Sequence, residues 1–389
     1  MPLISPDNHF GVFAALMTMA GIAFLLEKTR FGAQVTATVL VILMAILAAN
    51  LGVIPHNAPA YGFVFTYLVP VLIPLFLFQA DLRRIVREAS RTTVAFLVAT
   101  AGTVAGVLMA ASLLDLSGLA ANAGIPVDQV EAAIAGLFAS TYIGGSVNYA
   151  ALGEVTGLRN DASFFSAATA ADNLFSAVYL SILALVPATH WIAKYFRAHN
   201  VNEDEPEPSA IETHQHTAPV SPMSLCLALA AGVGLVAITD GLVSAFGLDG
   251  WRYVLLTALS VGLATLLPDT RRWFAGAFEI GVALSFPFFA SIAAGADVPA
   301  MLGVAPMLIA VVLILLSTHL VVLLGVGALF RLTLPELVTA SNAAILGATT
   351  APALAAAKGW KDQVTPGVLV GVLGYALGTF IGTSIYNLW

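Results

Sequence analysis

Two polar residues, Asp172 and Asn173, lie inside the apolar run "SFFSAATAADNLFSAVYLSILALV". They follow the start of this run by about ten residues, which in a helix is about 15 Å, half of a hydrocarbon core about 30 Å thick. A carboxylate at that depth costs at least about 2.5 kcal/mol, so it normally pairs, takes up a proton or binds a cation. We therefore expect Asp172 to be a sodium or proton site with Asn173 beside it. A structural Asp bonded to a neighbouring helix is the alternative.

A second polar stretch, "STYIGGSVNYAAL" at residues 140–152, combines helix breakers with hydrogen-bonding side chains. Gly144 and Gly145 supply a turn that no β-branched residue could make. Non-helical backbone at membrane depth is tolerated where it is buried in protein or lines a wet cavity. The candidate ligands in this stretch are Ser140, Thr141, Gly144, Gly145, Ser146 and Asn148. The alternative is an ordinary spanning helix in which the glycines allow close packing.

The same pattern recurs 202 residues later, in "NAAILGATTAPAL" at residues 342–354. Gly145 aligns with Gly347 and Asn148 with Thr350, and we expect Pro352 to play the helix-breaking role in this second copy. The matching candidates are Ser341, Asn342, Gly347, Thr349 and Thr350. This correspondence favours an internal repeat, so we expect two polar tips beside Asp172, one from each half of the chain.

The composition places these residues in a polytopic membrane protein. Of 389 residues, 59% are hydrophobic and 10% charged, whereas soluble domains carry about 25% charged residues. A net charge of -7 provides no basic face for nucleic acid, and one cysteine excludes a Cys-based metal site. The chain has no credible Walker loop, dinucleotide fingerprint or nucleophile elbow. We therefore expect a lipid-embedded protein that is not an enzyme and has no cofactor beyond a sodium ion or proton.

Hydropathy predicts twelve apolar elements. They cover residues 10–26, 33–53, 61–80, 92–114, 129–154, 162–187, 222–246, 252–268, 274–294, 303–330, 335–357 and 365–387. A stretch rich in Glu, Pro, Ser and His separates the sixth from the seventh and reads as a linker. The predicted organisation is a first transmembrane repeat over 1–190, a linker over 191–221 and a second repeat over 222–389.

Positive charge favours two re-entrant elements, since Lys and Arg near membrane spans prefer the cytoplasmic side. If all twelve elements cross, 10 of the 15 basic residues lie inside. If the fifth and eleventh elements enter and return, Arg159 and Arg252 alone lie outside, which leaves 13 of 15 inside. Each half then has five crossings, an odd number, so the repeats are inverted. The predicted fold is an all-α membrane protein with two inverted repeats of five transmembrane helices, each with one interrupted or re-entrant element.

The chain resembles the YjcL-like family of bacterial and plant polytopic membrane proteins over nearly its whole length. The resemblance rests on "FASTYIGGSVNYAAL", "AATAADNL" and "ASNAAILGATTAPALAAAKGW". More distantly, the chain resembles the cation:proton antiporter and anion transporter superfamily, which includes bile-acid, citrate and glutamate carriers.

The distant resemblance implies an ion-binding role for Asp172 and Asn173, which match the acidic or Asp-Asn pair of the sodium/proton antiporters. It also implies sodium or substrate binding at Gly-rich hairpins. The matching positions here are Gly144, Gly145, Ser146, Asn148, Gly347, Thr349 and Thr350. The last element, "GVLVGVLGYALGTFIGTSIYNLW", departs from the antiporters because it carries no charged partner. A homodimer in the bacterial cytoplasmic membrane is a further expectation from this resemblance.

Three functions follow as hypotheses. The leading one is a secondary active transporter that couples protons or sodium to a small anionic or zwitterionic organic solute. The second is a sodium/proton antiporter. The third is a membrane-embedded enzyme or receptor, which requires Asp172, His319 and Glu279 to converge.

Overall fold

A computed structural model of the chain describes residues 2–29, 37–78, 80, 82–197, 219–248, 251–295 and 298–389. Residues 198–218 of the predicted linker lie outside the described residues. Every regular element within the described ranges is a helix. The described part of the chain is therefore all-α, as its hydropathy predicts.

The first half of the chain forms eight main helices. They are α1 (His9–Glu27), α2 (Ala37–Asn50), α3 (Pro59–Leu77), α4 (Leu82–Glu88), α5 (Ser90–Leu113), α6 (Val127–Gly144), α7 (Ser146–Thr156) and α8 (Ala162–Leu185). Helix α3 contains a π-helical turn at Val64–Leu68. Helices α6 and α7 together form the predicted fifth element, broken at one residue.

The second half forms seven main helices. They are α9 (Pro222–Phe246), α10 (Arg252–Leu266), α11 (Ala277–Ala294), α12 (Val298–Leu329), α13 (Leu334–Leu346), α14 (Thr350–Ala357) and α15 (Val364–Leu388). Among the described residues, eight helices are long and apolar enough to cross a membrane, and α2 is a shorter apolar helix. Helix α10 and the 3-10 helix Pro268–Phe274 are bent by 94° and would together make a ninth span.

Local sequence explains where several helices begin and end. Helix α9 starts with a capping box formed by Ser221 and Ser224, with proline at its first position. It ends at Gly247, which adopts the left-handed conformation typical of a helix C-terminus. Helix α13 starts with a second capping box, formed by Thr333 and Glu336. These signals fix the helix ends independently of the lipid.

The helices pack into two bundles. Helices α1, α2, α3, α9, α10 and α11 pack mainly against one another, and we call them the flanking bundle. Helices α5, α6, α7, α8, α12, α13, α14 and α15 form the hairpin bundle, whose closest pairs are α5 with α12 and α6 with α15. Each bundle draws helices from both halves of the sequence, so the two halves are interleaved.

Candidate functional site

The predicted fifth element folds back on itself at Gly145. This residue has φ 73° and ψ −170°, a conformation that is essentially restricted to glycine. The two ends of the element lie side by side. The Asn122 amide donates to Asp161 Oδ2 over 3.1 Å, and the Asn160 side chain donates to the Ala123 carbonyl over 3.4 Å. Helices α6 and α7 therefore form a helical hairpin, which we call hairpin 1.

The predicted eleventh element turns at Gly347 with nearly the same backbone geometry, φ 92° and ψ −171°. Across the turn, the Thr350 hydroxyl donates to Asn342 Oδ1 over 2.6 Å. Gly347 is the residue that the 202-residue offset pairs with Gly145. The expectation that Pro352 breaks this element was wrong, because Pro352 lies in the first turn of α14, where a missing backbone N–H removes no helical hydrogen bond. The two halves thus break their helices at the same aligned position and in the same way.

The ends of the eleventh element also meet. Glu336, near its start, accepts from Arg91 over 2.5 Å. Gln363, just beyond its end, accepts from Thr92 over 2.9 Å. Since Arg91 and Thr92 are neighbours at the start of α5, helices α13 and α14 form a second hairpin, hairpin 2.

Both hairpins lie along the glycine face of α15 and enter from opposite ends of it. A Cβ atom on Gly382 would lie 2.7 Å from the Gly136 carbonyl of hairpin 1, and one on Gly367 would lie 2.9 Å from Thr339 of hairpin 2. These contacts are on the arms of the hairpins. A side chain at either glycine would therefore push a hairpin away from α15.

The two tips meet near the middle of α15. A Cβ atom on Gly374 would lie 2.5 Å from the Ile143 carbonyl, beside the tip of hairpin 1. A Cβ atom on Gly371 would collide with Ala348 at the tip of hairpin 2. Gly371 and Gly374 are one helical turn apart, so the tips approach each other at half the length of α15.

Asn148 fastens hairpin 1 to this helix. Its Nδ2 donates to the Gly374 carbonyl over 3.1 Å, and its Oδ1 accepts from the Thr379 hydroxyl over 2.9 Å. Asn148 is 1% exposed, and both ends of its amide have partners. Its role in this structure is to hold the tip against α15.

Asp172 on α8 is buried beside the last turn of α6. Its Oδ2 accepts from the Thr141 hydroxyl over 3.2 Å. Within the described residues, Oδ1 has no hydrogen-bond partner and the carboxyl forms no ion pair. Tyr142 and Ser176 also lie close enough for their side chains to interact with this carboxyl. An unpaired buried carboxyl is suited to a proton or a small cation.

Charged residues near the hairpin bases divide between the two ends of α15. Arg159 pairs with Glu154 over 2.8 Å near the base of hairpin 1, and Arg252 also interacts with that glutamate. Arg91 donates both to Glu336 and to the Arg331 carbonyl near the base of hairpin 2. Arg159 and Arg252 are the two residues that the re-entrant interpretation places outside, and they share one end of the molecule.

The comparisons with known proteins agree over the full length of the chain. The sequence profile of the family described as "Protein of unknown function (DUF819)" matches residues 14–388. The chain belongs to the DUF819 family. The chain is 32% identical over 400 residues to "Uncharacterized membrane protein YjcL" of Bacillus subtilis (strain 168), in an alignment that covers 99% of this chain and 98% of that protein.

The full-length likeness to a membrane protein and the eight apolar helices among the described residues identify this DUF819 chain as an integral, multi-pass membrane protein. Within the described residues, no group of three or more His, Cys, Asp or Glu side chains is arranged to hold a metal ion.

The remaining predicted residues of hairpin 1 and α8 have other surroundings. Ser140 donates to the Leu137 carbonyl of its own helix, and Ser146 is half-buried at the start of α7. Asn173 is half-buried and donates to the Thr169 carbonyl of α8 over 2.8 Å. Of the candidates near Asp172, Thr141 is the one that bonds to it directly.

The predicted residues of hairpin 2 divide between the tip and its first arm. Asn342 and Thr350 bond to each other, and Thr349 is exposed at the tip. Ser341 lies on the arm, where it contacts His319 and Tyr179. Glu279 is exposed in the first turn of α11, a helix of the flanking bundle.

Two features of the site escaped the sequence analysis although a signal for each was present. The glycines of α15 recur at residues 367, 371, 374, 378 and 382, a helical spacing that marks one face. Tyr142 lies next to Thr141 in the quoted polar stretch, and its buried hydroxyl lies near the Asp172 carboxyl without a hydrogen bond of good geometry among the described residues.

Proposed function

We propose that this protein is a secondary active transporter that moves a small anionic or zwitterionic organic solute coupled to protons or sodium. The observation that carries the proposal is the meeting of two hairpin tips, which enter from opposite ends of α15, beside the buried carboxyl of Asp172. Interrupted helices near the bilayer midplane are where secondary transporters bind substrates and coupling ions. The apolar composition and the absence of a phosphate-binding loop in the sequence support the same function.

The proposal includes inverted repeats of five crossings each. Gly145 and Gly347 share one backbone conformation, and the first three elements of each half form the flanking bundle. An inverted pair of repeats gives two related states that open to opposite sides. The hairpin bundle would move against the flanking bundle and carry the site between them. A homodimer built through the flanking bundle would hold that bundle still.

The coupling ion would be bound at Asp172. The carboxyl accepts a hydrogen bond from the Thr141 hydroxyl at Oδ2, while Oδ1 has no hydrogen-bond partner among the described residues. A proton or sodium ion would neutralise the negative charge, which lowers the energy of moving the bundle through an apolar environment. Ion and solute movement would be coupled if the hairpin bundle moved only when a bound ion neutralises Asp172.

The solute would be bound between the tips. Helices α7 and α14 both begin at a tip, and in this proposal their N-terminal amides and positive dipole ends would face the solute. Thr349 adds an exposed hydroxyl there. Neutral donors and helix N-termini favour a carboxylate or similar anionic group on the solute.

A sodium/proton antiporter is the second candidate. It is favoured by the absence of any ion-pair partner for Asp172 among the described residues. Such a carboxyl can exchange a proton for a sodium ion without an organic solute. A pH-sensitive dye inside vesicles separates the candidates, because sodium alone would then drive proton movement.

The test uses purified full-length protein reconstituted in lipid vesicles, with a library of labelled organic solutes and an imposed proton or sodium gradient. We expect gradient-dependent uptake of at least one anionic or zwitterionic solute, and its loss in Asp172→Asn. Asp269→Asn, at an exposed position outside the helices that form the site, is the matched control. Uptake that is equal in Asp172→Asn and wild type would refute the role of Asp172.

A further inference from the structure

His319, on α12, lies at the centre of a buried chain of polar groups that joins both hairpins. Its Nδ1 lies 2.8 Å from the Thr103 hydroxyl of α5, and its Nε2 lies 2.8 Å from the Ser341 hydroxyl of hairpin 2. Thr103 donates to the Tyr142 carbonyl of hairpin 1 over 3.2 Å. Tyr179 of α8 lies 3.0 Å from Ser341. These hydrogen bonds thus connect five helices, including α8, which bears Asp172.

Because these four side chains are buried, each depends on the others for its hydrogen bonds. Thr103, His319 and Ser341 are 0% exposed and Tyr179 is 2% exposed. A buried polar group that loses its partner costs about 1–3 kcal/mol. Water cannot reach these positions unless the helices rearrange. Loss of one hydrogen bond therefore leaves a buried polar group without a partner.

The donors and acceptors of these groups determine the direction of the hydrogen bonds. The Tyr142 carbonyl can only accept, so the hydroxyl hydrogen of Thr103 is used there. His319 must then donate from Nδ1 to Thr103, and a neutral ring accepts at Nε2. Ser341 donates to that nitrogen and accepts from the Tyr179 hydroxyl. The bond from Thr103 to the Tyr142 carbonyl thus places a hydrogen on Nδ1 of His319. Full burial with no charged partner among the described residues favours the neutral ring, in which Nε2 accepts.

Packing holds the imidazole in this position. Gly102 allows α12 to approach α5, since a Cβ atom there would lie 3.1 Å from the His319 carbonyl. The Tyr179 ring meets the imidazole edge to face, with centroids 5.7 Å apart and planes at 88°. Both contacts fix the ring between Thr103 and Ser341.

We propose that His319 is a positioning residue that sets the two hairpins in register. Through Thr103 it holds the Tyr142 carbonyl, and Tyr142 is the neighbour of Thr141, which donates to Asp172. Through Ser341 it holds the first arm of hairpin 2. Its consequence for coupling rests on the proposed transport function, whereas the register itself is a property of the protein without solute.

The test measures the distance between the hairpin bases by double electron–electron resonance. Nitroxide labels are attached to Val127→Cys on hairpin 1 and Lys358→Cys next to hairpin 2, both exposed positions. The background is Cys226→Ser, which removes the chain's one native cysteine. No solute is present, so a failure of the transport assay leaves this result interpretable.

We expect one narrow distance population with His319 intact, and its loss by broadening or a second population in His319→Leu. Thr103→Val should reproduce that loss because it cuts the link to hairpin 1 and keeps the imidazole. His319→Gln should restore the narrow population, since an amide offers one donor and one acceptor direction as the neutral ring does. Thr318→Val is the matched control on the same helix and should leave the distribution unchanged.

The tautomer has its own signature in the ¹⁵N spectrum of protein labelled at its seven histidines. The signal that His319→Gln removes should be that of a neutral ring with hydrogen on Nδ1. Narrow distributions in both His319→Leu and Thr103→Val would overturn the proposal. So would a His319→Gln variant as broad as His319→Leu, or a His319 signal of a charged ring.

Discussion

Replacing the glycine at each hairpin tip by alanine tests whether the two tips are equivalent turns. A Cβ atom on Gly145 would have no other atom within 4 Å, and one on Gly347 would lie 3.4 Å from its nearest neighbour, the Tyr375 hydroxyl oxygen. Neither substitution therefore creates a steric clash. Both residues have a positive φ with ψ near 180°, a region that costs other residues on the order of 1–3 kcal/mol. We expect Gly145→Ala and Gly347→Ala each to lower the free energy of unfolding by about that amount.

The assay is reversible unfolding by sodium dodecyl sulfate in mixed micelles, followed by tryptophan fluorescence. Gly234→Ala is the matched control because Gly234 lies inside α9, where an added Cβ would have nothing within 4 Å. Alanine in a helix interior is favoured over glycine by roughly 0.5–1 kcal/mol, so this variant should be unchanged or more stable. The reasoning is refuted if a tip variant is as stable as Gly234→Ala, or if one tip tolerates alanine and the other does not.

Two further substitutions probe the site and the base of hairpin 2. Thr141→Val leaves Asp172 Oδ2 without its donor, so we expect a loss of about 1–3 kcal/mol in unfolding free energy. Arg91→Gln removes the ion pair with Glu336, in which the two side chains are 50% and 8% exposed. We expect a loss of roughly 1 kcal/mol after screening, seen as faster hydrogen exchange in the first turns of α13. Ser140→Ala removes a hydroxyl that bonds to its own helix, so it should destabilise much less than Thr141→Val. Arg84→Gln breaks an exposed pair with Glu88 and should leave exchange in α13 unchanged. Equal effects of Thr141→Val and Ser140→Ala would show that the bond to Asp172 contributes nothing.

The positions of the helix breaks could be predicted from the sequence because they depend on local backbone chemistry. Gly145 and Gly347 are paired by an offset of 202 residues, and they share one positive-φ conformation. Glycine is the residue that adopts this conformation without strain. The distribution of positive charge is a second signal for the hairpins. The re-entrant interpretation leaves only Arg159 and Arg252 outside, and in the structure both lie near Glu154 at the base of hairpin 1.

The partners of the polar side chains could not be predicted in the same way. Asn148 and Thr350 align between the halves, yet Asn148 bonds to α15 and Thr350 bonds to Asn342 within its own hairpin. Asn173 follows Asp172 directly, but successive residues of a helix point about 100° apart, and Asn173 bonds to its own helix. Such choices depend on which helix packs alongside, which one sequence does not specify.

The role of His319 shows the same limit. A lone histidine in an apolar helix is equally compatible with a simple interhelical bond and with a functional one. Its partners Thr103 and Ser341 are 216 and 22 residues away in sequence and come from different helices. Only the packing of α5 against α12 and hairpin 2 brings them together.

The central claim is that Asp172 couples the movement of an ion to the movement of a solute. The most direct test compares the accumulation of solute driven by an ion gradient with the exchange of solute across the membrane. Once a solute is found, vesicles are loaded with it or left empty, and uptake of labelled solute is followed with and without an ion gradient. We predict that wild type accumulates solute when a gradient is imposed, whereas Asp172→Asn exchanges solute across the membrane but does not accumulate it. Gradient-driven accumulation by Asp172→Asn at the wild-type level would contradict the account.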